Sequence, residues 1–208
     1  MDLDQVISDN FPLIAAPRSG VIPPSTKQGV RYVVASNGLW RAIDKSWLRA
    51  QTPLAVAEKS VIPYGTLGQE IKFFCSMPSM KLWREFAALA KASLPNEVAA
   101  AMVWNSTLDE WRLAARESIT ANGGYVSYRE VELQDGEELI VDLHSHGHHP
   151  AYFSEIDNND DFGSIKIAAV MGCVGSESTE IVARLMLIDK TIDLVITSSG
   201  GWASMEKT

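Results

Sequence analysis

The sequence predicts an α/β (α+β) fold: a mixed β-sheet flanked by helices, behind a strand-rich N-terminal appendage. Three observations carry this. Residues 78–93 place Leu82, Phe86, Leu89 and Ala90 near the 3.6-residue helical period, and Pro95, which cannot donate a helical hydrogen bond, stops the run. Between residues 98 and 197 a series of short apolar runs, separated by turn residues, reads as strands. Residues 1–76 read as short strands and turns, with a change of pattern near Met77-Pro78. The expected division is therefore an appendage at 1–76 and a main domain at 77–208.

In the appendage, residues 11–26 are Pro-rich and should be extended or looped. Runs 30–35 and 39–43 flank Ser36-Asn37-Gly38, a hairpin signal. Residues 61–75 read as another strand pair, with a turn at Tyr64-Gly65 and a strand from Glu70 to Cys75. Trp40 and Trp47 suit a core better than a docking surface, because tryptophan is highly buried on average. The apolar runs at 30–35 and 70–75 need burial, so the appendage is expected to be ordered and to contact the main domain.

In the main domain, strands are expected at 98–104, 110–116, 125–133 and 138–144. A short helix follows at 154–162, then strands at 165–171, 180–188 and 192–197. The last two form a hairpin across Asp189-Lys190, and Gly172 to Ser176 forms a turn. The polar tail from Ser198 should fray, with Trp202 as its one anchor.

Composition narrows the class. A chain of 208 residues with 46% hydrophobic and 21% charged residues buries a globular core. A net charge of −8 argues against broad phosphate binding, so no nucleic-acid partner is expected. Cys75 and Cys173 lack C-x-x-C spacing, which disfavours a disulfide scaffold or a structural zinc ribbon, and Cys173 should be a buried thiol. No signal-peptide pattern follows the acidic start, and no apolar run approaches ~18 residues. A cytoplasmic protein without a membrane partner is expected.

The chemistry concentrates at 144–157. The strand at 138–143 would send Leu139, Val141 and Leu143 to one face and Ile140, Asp142, His144 and His146 to the other. Ser154 and Asp157, three apart, share one side of the helix that follows. His144, His146, Ser154 and Asp157 would then converge. Two imidazoles and one carboxylate suit Zn²⁺, and three protein ligands leave the fourth tetrahedral position for water. His148 and His149 are rival ligands by proximity, but strand alternation should break at Gly147. Ser154-x-x-Asp157 also fits a capping box, which makes Ser154 structural without excluding ligation by Asp157. For a general base, Glu85, Glu97, Glu110 and Glu117 compete. Glu97 stands at the Pro95-Asn96-Glu97 corner, just before the apolar run from Val98 to Trp104.

The run His144-x-His146, then residues 147–156, then Asp157, with Ser154 three before it, resembles the JAMM (JAB/MPN) zinc metalloprotease family. Pro often follows the second histidine in that family; Gly147 stands there here. The resemblance implies a compact sheet with flanking helices, zinc held by His144, His146 and Asp157, and an upstream glutamate as base. That position matches Glu97, and Ser154 would donate to the developing oxyanion. The implied activity is peptide or isopeptide hydrolysis on a ubiquitin-like or sulfur-carrier-like protein. A strand-rich front before such a domain resembles the JAB-type proteins of PRTRC systems. These are bacterial cassettes that include a ThiF-like adenylating protein, which the resemblance implies as a partner. A zinc nucleoside deaminase would need H-x-E with P-C-x-x-C, and neither is present. RadC-like proteins carry an Asn and Pro-Ser-Gly around their histidines, which this chain lacks. The remaining rival is a JAB-type domain kept as a non-catalytic scaffold, and loss of motif residues would mark it.

Overall fold

The computed structural model describes residues 2–58, 61–122 and 125–204, with the backbone alone over 118–127. The chain divides into two compact units, Met1–Cys75 and Ser76–Thr208.

The first unit opens with a helix, α1 (Leu3–Asn10), that the strand reading of 1–76 does not foresee. Asp2 caps it by accepting from the Asp4 N–H at 3.3 Å. None of its side chains is buried, so no apolar stripe announces it in the sequence. Five strands follow: β1 (Leu13–Ala15), β2 (Gly29–Ala35), β3 (Gly38–Asp44), β4 (Leu48–Val56) and β5 (Glu70–Phe73). They form one sheet in sequence order, with β1 parallel to β2 and the rest antiparallel. The hairpin at Asn37-Gly38 forms as expected, and Trp40 and Trp47 are both buried. Val33, Ala35, Trp40 and Ala42 pack together with Ala16, so the run at 30–35 finds its core within its own unit.

One expectation here is wrong. Residues 61–75 are not a strand pair: only β5 forms, and its partner is β4, which the sequence reading leaves unassigned. The pattern of β4 is legible in retrospect. Leu48, Ala50 and Thr52 are buried, while Arg49 and Gln51 between them are less so. Pro53 obscures it, since proline cannot donate to a ladder. It is tolerated because β5 pairs only with residues 48–51, leaving β4 an edge from there on.

The second unit is built on a seven-stranded mixed sheet. Its elements are α2 (Met80–Ser93), β6 (Ala99–Asn105), β7 (Glu110–Ala115), β8 (Ser118–Asn122), β9 (Tyr125–Tyr128), β10 (Glu137–Ser145), α3 (Glu155–Asp161), β11 (Ile165–Gly172), β12 (Glu180–Leu187), β13 (Lys190–Ile196) and β14 (Trp202–Ser204). The strand order is β14-β13-β12-β11-β10-β6-β7. Only β10 and β11 run parallel, and α3 lies in the crossover between them. β8 and β9 make a separate two-stranded sheet. This is the α/β class with helices beside a mixed sheet.

The helix at 78–93 forms, and it buries Leu82, Trp83, Phe86 and Ala90. Its first N–H groups are not served by Ser79, whose side chain makes no cap bond. Instead Met80 N donates to Ser199 O at 2.7 Å, and Trp83 Nε1 donates to Gly200 O at 2.7 Å. A Cβ on Gly200 would overlap the backbone of Ser79 and Met80, so glycine permits the approach. The tail is therefore not frayed through its described length. β14 pairs with β13, and Trp202 is buried against it, edge-on to Trp111 at 6.0 Å. Residues 205–208 lie outside the described residues.

Two further corrections concern strands. The run at 125–133 is strand only to Tyr128, and its partner β8 was not expected. In β10 the alternation expected across 138–146 breaks. Leu139 faces Val103 and Val141 faces Met102, leaving Ile140 as the extra residue of a bulge. Ile140 is fully buried and leaves the face that Asp142 and His144 share. Cys173 is only half-buried, because it sits just past β11 with a left-handed φ of 52°.

A bidentate pair ties β7 to the start of β10. Arg112 Nε and Nη2 donate to the two Glu137 oxygens at 2.7 and 2.6 Å, and Gln134 N adds a third bond at 2.9 Å. The Arg112 guanidinium, helped by that backbone N–H, holds the Glu137 carboxyl down from 4.5 to about 2. A folded pKa below the unfolded one stabilises above the unfolded value and is lost as pH falls. Glu137→Gln should therefore melt below the wild type at pH 7. Melting curves should show the gap closing as pH falls from 4.5 toward 2. A gap that is constant with pH would refute it.

Candidate functional site

The site forms where β10 ends. His144 is the penultimate residue of β10, paired with Ala99 of β6 on one side and Val170 of β11 on the other. Past the strand, His146 N donates to Met171 O at 2.9 Å, which keeps the chain against β11 for one more residue. The turn then closes through His149 N to His146 O at 2.9 Å, with Val174 N on Gly147 O at 2.8 Å. Gly147 has φ 55°, in the left-handed region. Proline, locked near −65°, cannot take that conformation, which accounts for glycine after the second histidine. The turn lies against Gly172, where a Cβ would overlap Ala151 N and the Pro150 carbonyl carbon.

Asp157 arrives on α3. Ser154 is the N-cap, and both arms of the capping box are present. Asp157 N donates to Ser154 Oγ at 3.2 Å, and Ser154 N donates to Asp157 Oδ2 at 2.7 Å. Ser154 Oγ also donates to Asp157 Oδ2 at 2.7 Å. The capping alternative is thus realised, and the one hydroxyl proton of Ser154 points at Asp157. The oxyanion role requires that same proton elsewhere.

His144, His146 and Asp157 offer ligand atoms that all lie within 4.8 Å of one another. His144 Nε2 is 3.2 Å from His146 Nε2 and 3.3 Å from Asp157 Oδ1. His146 Nε2 is 4.0 Å from Asp157 Oδ2. Tetrahedral ligands about 2 Å from one ion stand roughly 3.3 Å apart, so the donor set fits a metal. The cluster could hold a metal ion. Burial of His146, 8% exposed, lowers its pKa, and His144 beside it lowers it further, against the raising effect of Glu97 and Asp157. A neutral imidazole keeps its lone pair for a metal. Burial alone would raise the Asp157 carboxyl, but the bond and charge of His144 and the two bonds from Ser154 together hold it well below the usual range. His148 and His149 are exposed and stand outside the cluster.

The cluster opens onto a cleft of about 740 Å³ whose walls include Glu97, Tyr128, Asp142 and Lys166. Glu97 is exposed there. Its neighbour Val98 is fixed to the residue between the two histidines: Ser145 N donates to Val98 O at 2.9 Å, and Val98 N donates to Ser145 Oγ at 3.1 Å. Glu85, Glu110 and Glu117 do not line the cleft. Sequence reasoning missed Tyr128, whose phenol burial and the nearby Glu97 push up to about 12, so that it stays protonated. It also missed a row of ion pairs along the cleft wall, formed by Arg116, Asp142, Asp161 and Lys166 and extended by Arg184. Arg116 and Lys166 both bind Asp142, at 3.1 and 2.7 Å, and Lys166 also reaches Asp161 at 2.7 Å. Arg184 binds Asp161 at 2.6 Å. The members are scattered from 116 to 184, so no local motif marks them.

Among the described residues, no helix is long and apolar enough to cross a membrane. Comparison with curated proteins gave no match. The profile of a domain of unknown function, DUF2016, matches residues 1–74. The profile of the prokaryotic homologs of the JAB domain matches residues 79–187, which hold His144, His146, Asp157 and Glu97. JAB domains of this kind occur in hydrolases and in non-catalytic members. With more than half its length matched, the chain belongs to the prokaryotic JAB-domain family.

Proposed function

We propose that the chain is a JAMM-type zinc hydrolase that cleaves a peptide or isopeptide bond of a ubiquitin-like or sulfur-carrier-like protein. The observation that supports this most is the convergence of His144, His146 and Asp157 donors 3.2–4.0 Å apart at the head of an open cleft that Glu97 also lines. When bound, zinc supplies a Lewis acid for the scissile carbonyl and brings the pKa of water to about 7. Glu97 takes the proton of the attacking water and passes it to the leaving amine as the C–N bond breaks. Ser154 first holds Asp157 in place. It donates to an oxyanion only when its proton leaves Asp157 Oδ2. The layout, a separate strand-rich front before the JAB domain, supports placement in a PRTRC-type system with a ThiF-like partner.

Protein purified without added metal should carry near-stoichiometric zinc by elemental analysis. His144→Ala/His146→Ala should lose it, and His148→Ala should keep it. Equal metal in the double variant would sink the centre. Absence of zinc from the wild type would favour the scaffold reading instead.

A further inference from the structure

Helix α3 carries the carboxylate ligand, yet no apolar side chain of it is buried; its one buried residue is Asp161. Ile156 is 46% exposed and Phe162, the residue after the helix, is 69% exposed. Helices of globular proteins normally dock by burying an apolar stripe, so something else must seat this one.

That something is Arg184. It projects from β12, is 6% exposed, and spends its donors on α3. Nη2 and Nε donate to Asp161 Oδ2 at 2.6 and 3.2 Å, and Nη1 donates to Asn158 Oδ1 at 2.6 Å. Nη2 also reaches the Asp157 carbonyl at 3.4 Å. The guanidinium carbon lies 3.7 Å from the centre of the Phe153 ring, one residue before the cap. One side chain thus touches the approach to α3, the residue carrying the ligand, its neighbour and the helix end. The planar fork matches this set in a way that an ammonium cannot.

We infer that Arg184 is a positioning residue: by clamping Asp161, Asn158 and the Asp157 backbone it sets the Asp157 carboxylate against His144 and His146. The inference rests on the metal reading above. Zinc–oxygen bonds tolerate a few tenths of an ångström, so a small slide of α3 removes a ligand. Lys166 also pairs with Asp161, at 2.7 Å, so Arg184→Met still leaves that buried carboxylate a charged partner. That makes the variant a test of position rather than of folding.

The experiment is zinc affinity by chelator competition, in the full chain, for wild type, Arg184→Met, Arg184→Lys and Asp161→Asn. Arg184→Met should lose about 10–100-fold, the range for groups that orient ligands. Arg184→Lys should recover part of this, since it still reaches Asp161 but not Asn158 as well. The loss should vanish when Arg184→Met is made in an Asp157→Ala background, because the ligand it positions is absent. A general structural role would persist there. Wild-type affinity in Arg184→Met, or an equal loss in the Asp157→Ala background, overturns the inference. Should Arg184→Met not fold, Asp161→Asn decides by the same two criteria. A wild type that binds no zinc overturns the metal reading and this inference together.

Discussion

Glu97→Gln should keep its zinc and lose turnover by about 10²–10⁴-fold, the usual range for removal of a general base. Glutamine preserves size and hydrogen bonding but cannot accept a proton. The position, more than the residue type, makes the case. Val98 and Ser145 exchange two hydrogen bonds, so the residue ahead of Val98 is anchored to the strand end that bears both histidines. The competitors lie elsewhere: Glu85 faces Lys81 along α2 at 3.5 Å, and Glu117 faces Arg129 at 3.3 Å. Glu110 is exposed at the start of β7. Asp157→Asn should act differently, by weakening the metal itself. Single-turnover cleavage of a peptide- or isopeptide-linked carrier, with zinc measured in each variant, separates the two. Wild-type cleavage by Glu97→Gln would remove it as base, and loss of zinc would make it a ligand.

The second large effect is on stability. Trp83→Ala should cost about 3–5 kcal/mol, as for other buried aromatic truncations. Trp83 is 1% exposed on the buried stripe of α2, and its indole N–H serves the Gly200 carbonyl. Truncation therefore opens a cavity and leaves a carbonyl unserved, near the point where Ser199 caps the helix. Against a total of about 5–15 kcal/mol, such a loss takes much of the stability. Urea unfolding should show a lower midpoint, and Trp83→Phe should fall between. An unchanged midpoint for Trp83→Ala would mean that the tail and α2 do not depend on this contact.

What the sequence disclosed was what is local. The helix before Pro95, the strand before His144 and the Ser154-x-x-Asp157 cap are each set by residues within a dozen positions. So is the cluster of His144, His146 and Asp157, which falls inside one strand–turn–helix segment. Elements with a weak or interrupted hydrophobic signal escaped. Helix α1 buries nothing, β4 is interrupted by Pro53, and β8 is short. The bulge at Ile140 escaped because it depends on the register with β6, which periodicity in one strand does not report. Arg184 and Lys166 escaped for a related reason: each looks like an ordinary charged residue of a strand until α3 lies over it.

The place where the turn crosses Gly172 bears on how this sequence can vary over generations. Any side chain at 172 would strike the backbone of Pro150 and Ala151, atoms that cannot rotate aside. This position admits a single residue type as long as the turn after His146 keeps its course. An alignment of descendants that keep both histidines would then carry glycine at 172 for a steric reason, though it lies outside the His144, His146 and Asp157 cluster. A lineage that lost that glycine would have to reroute the turn that carries His149 and leads to Ser154.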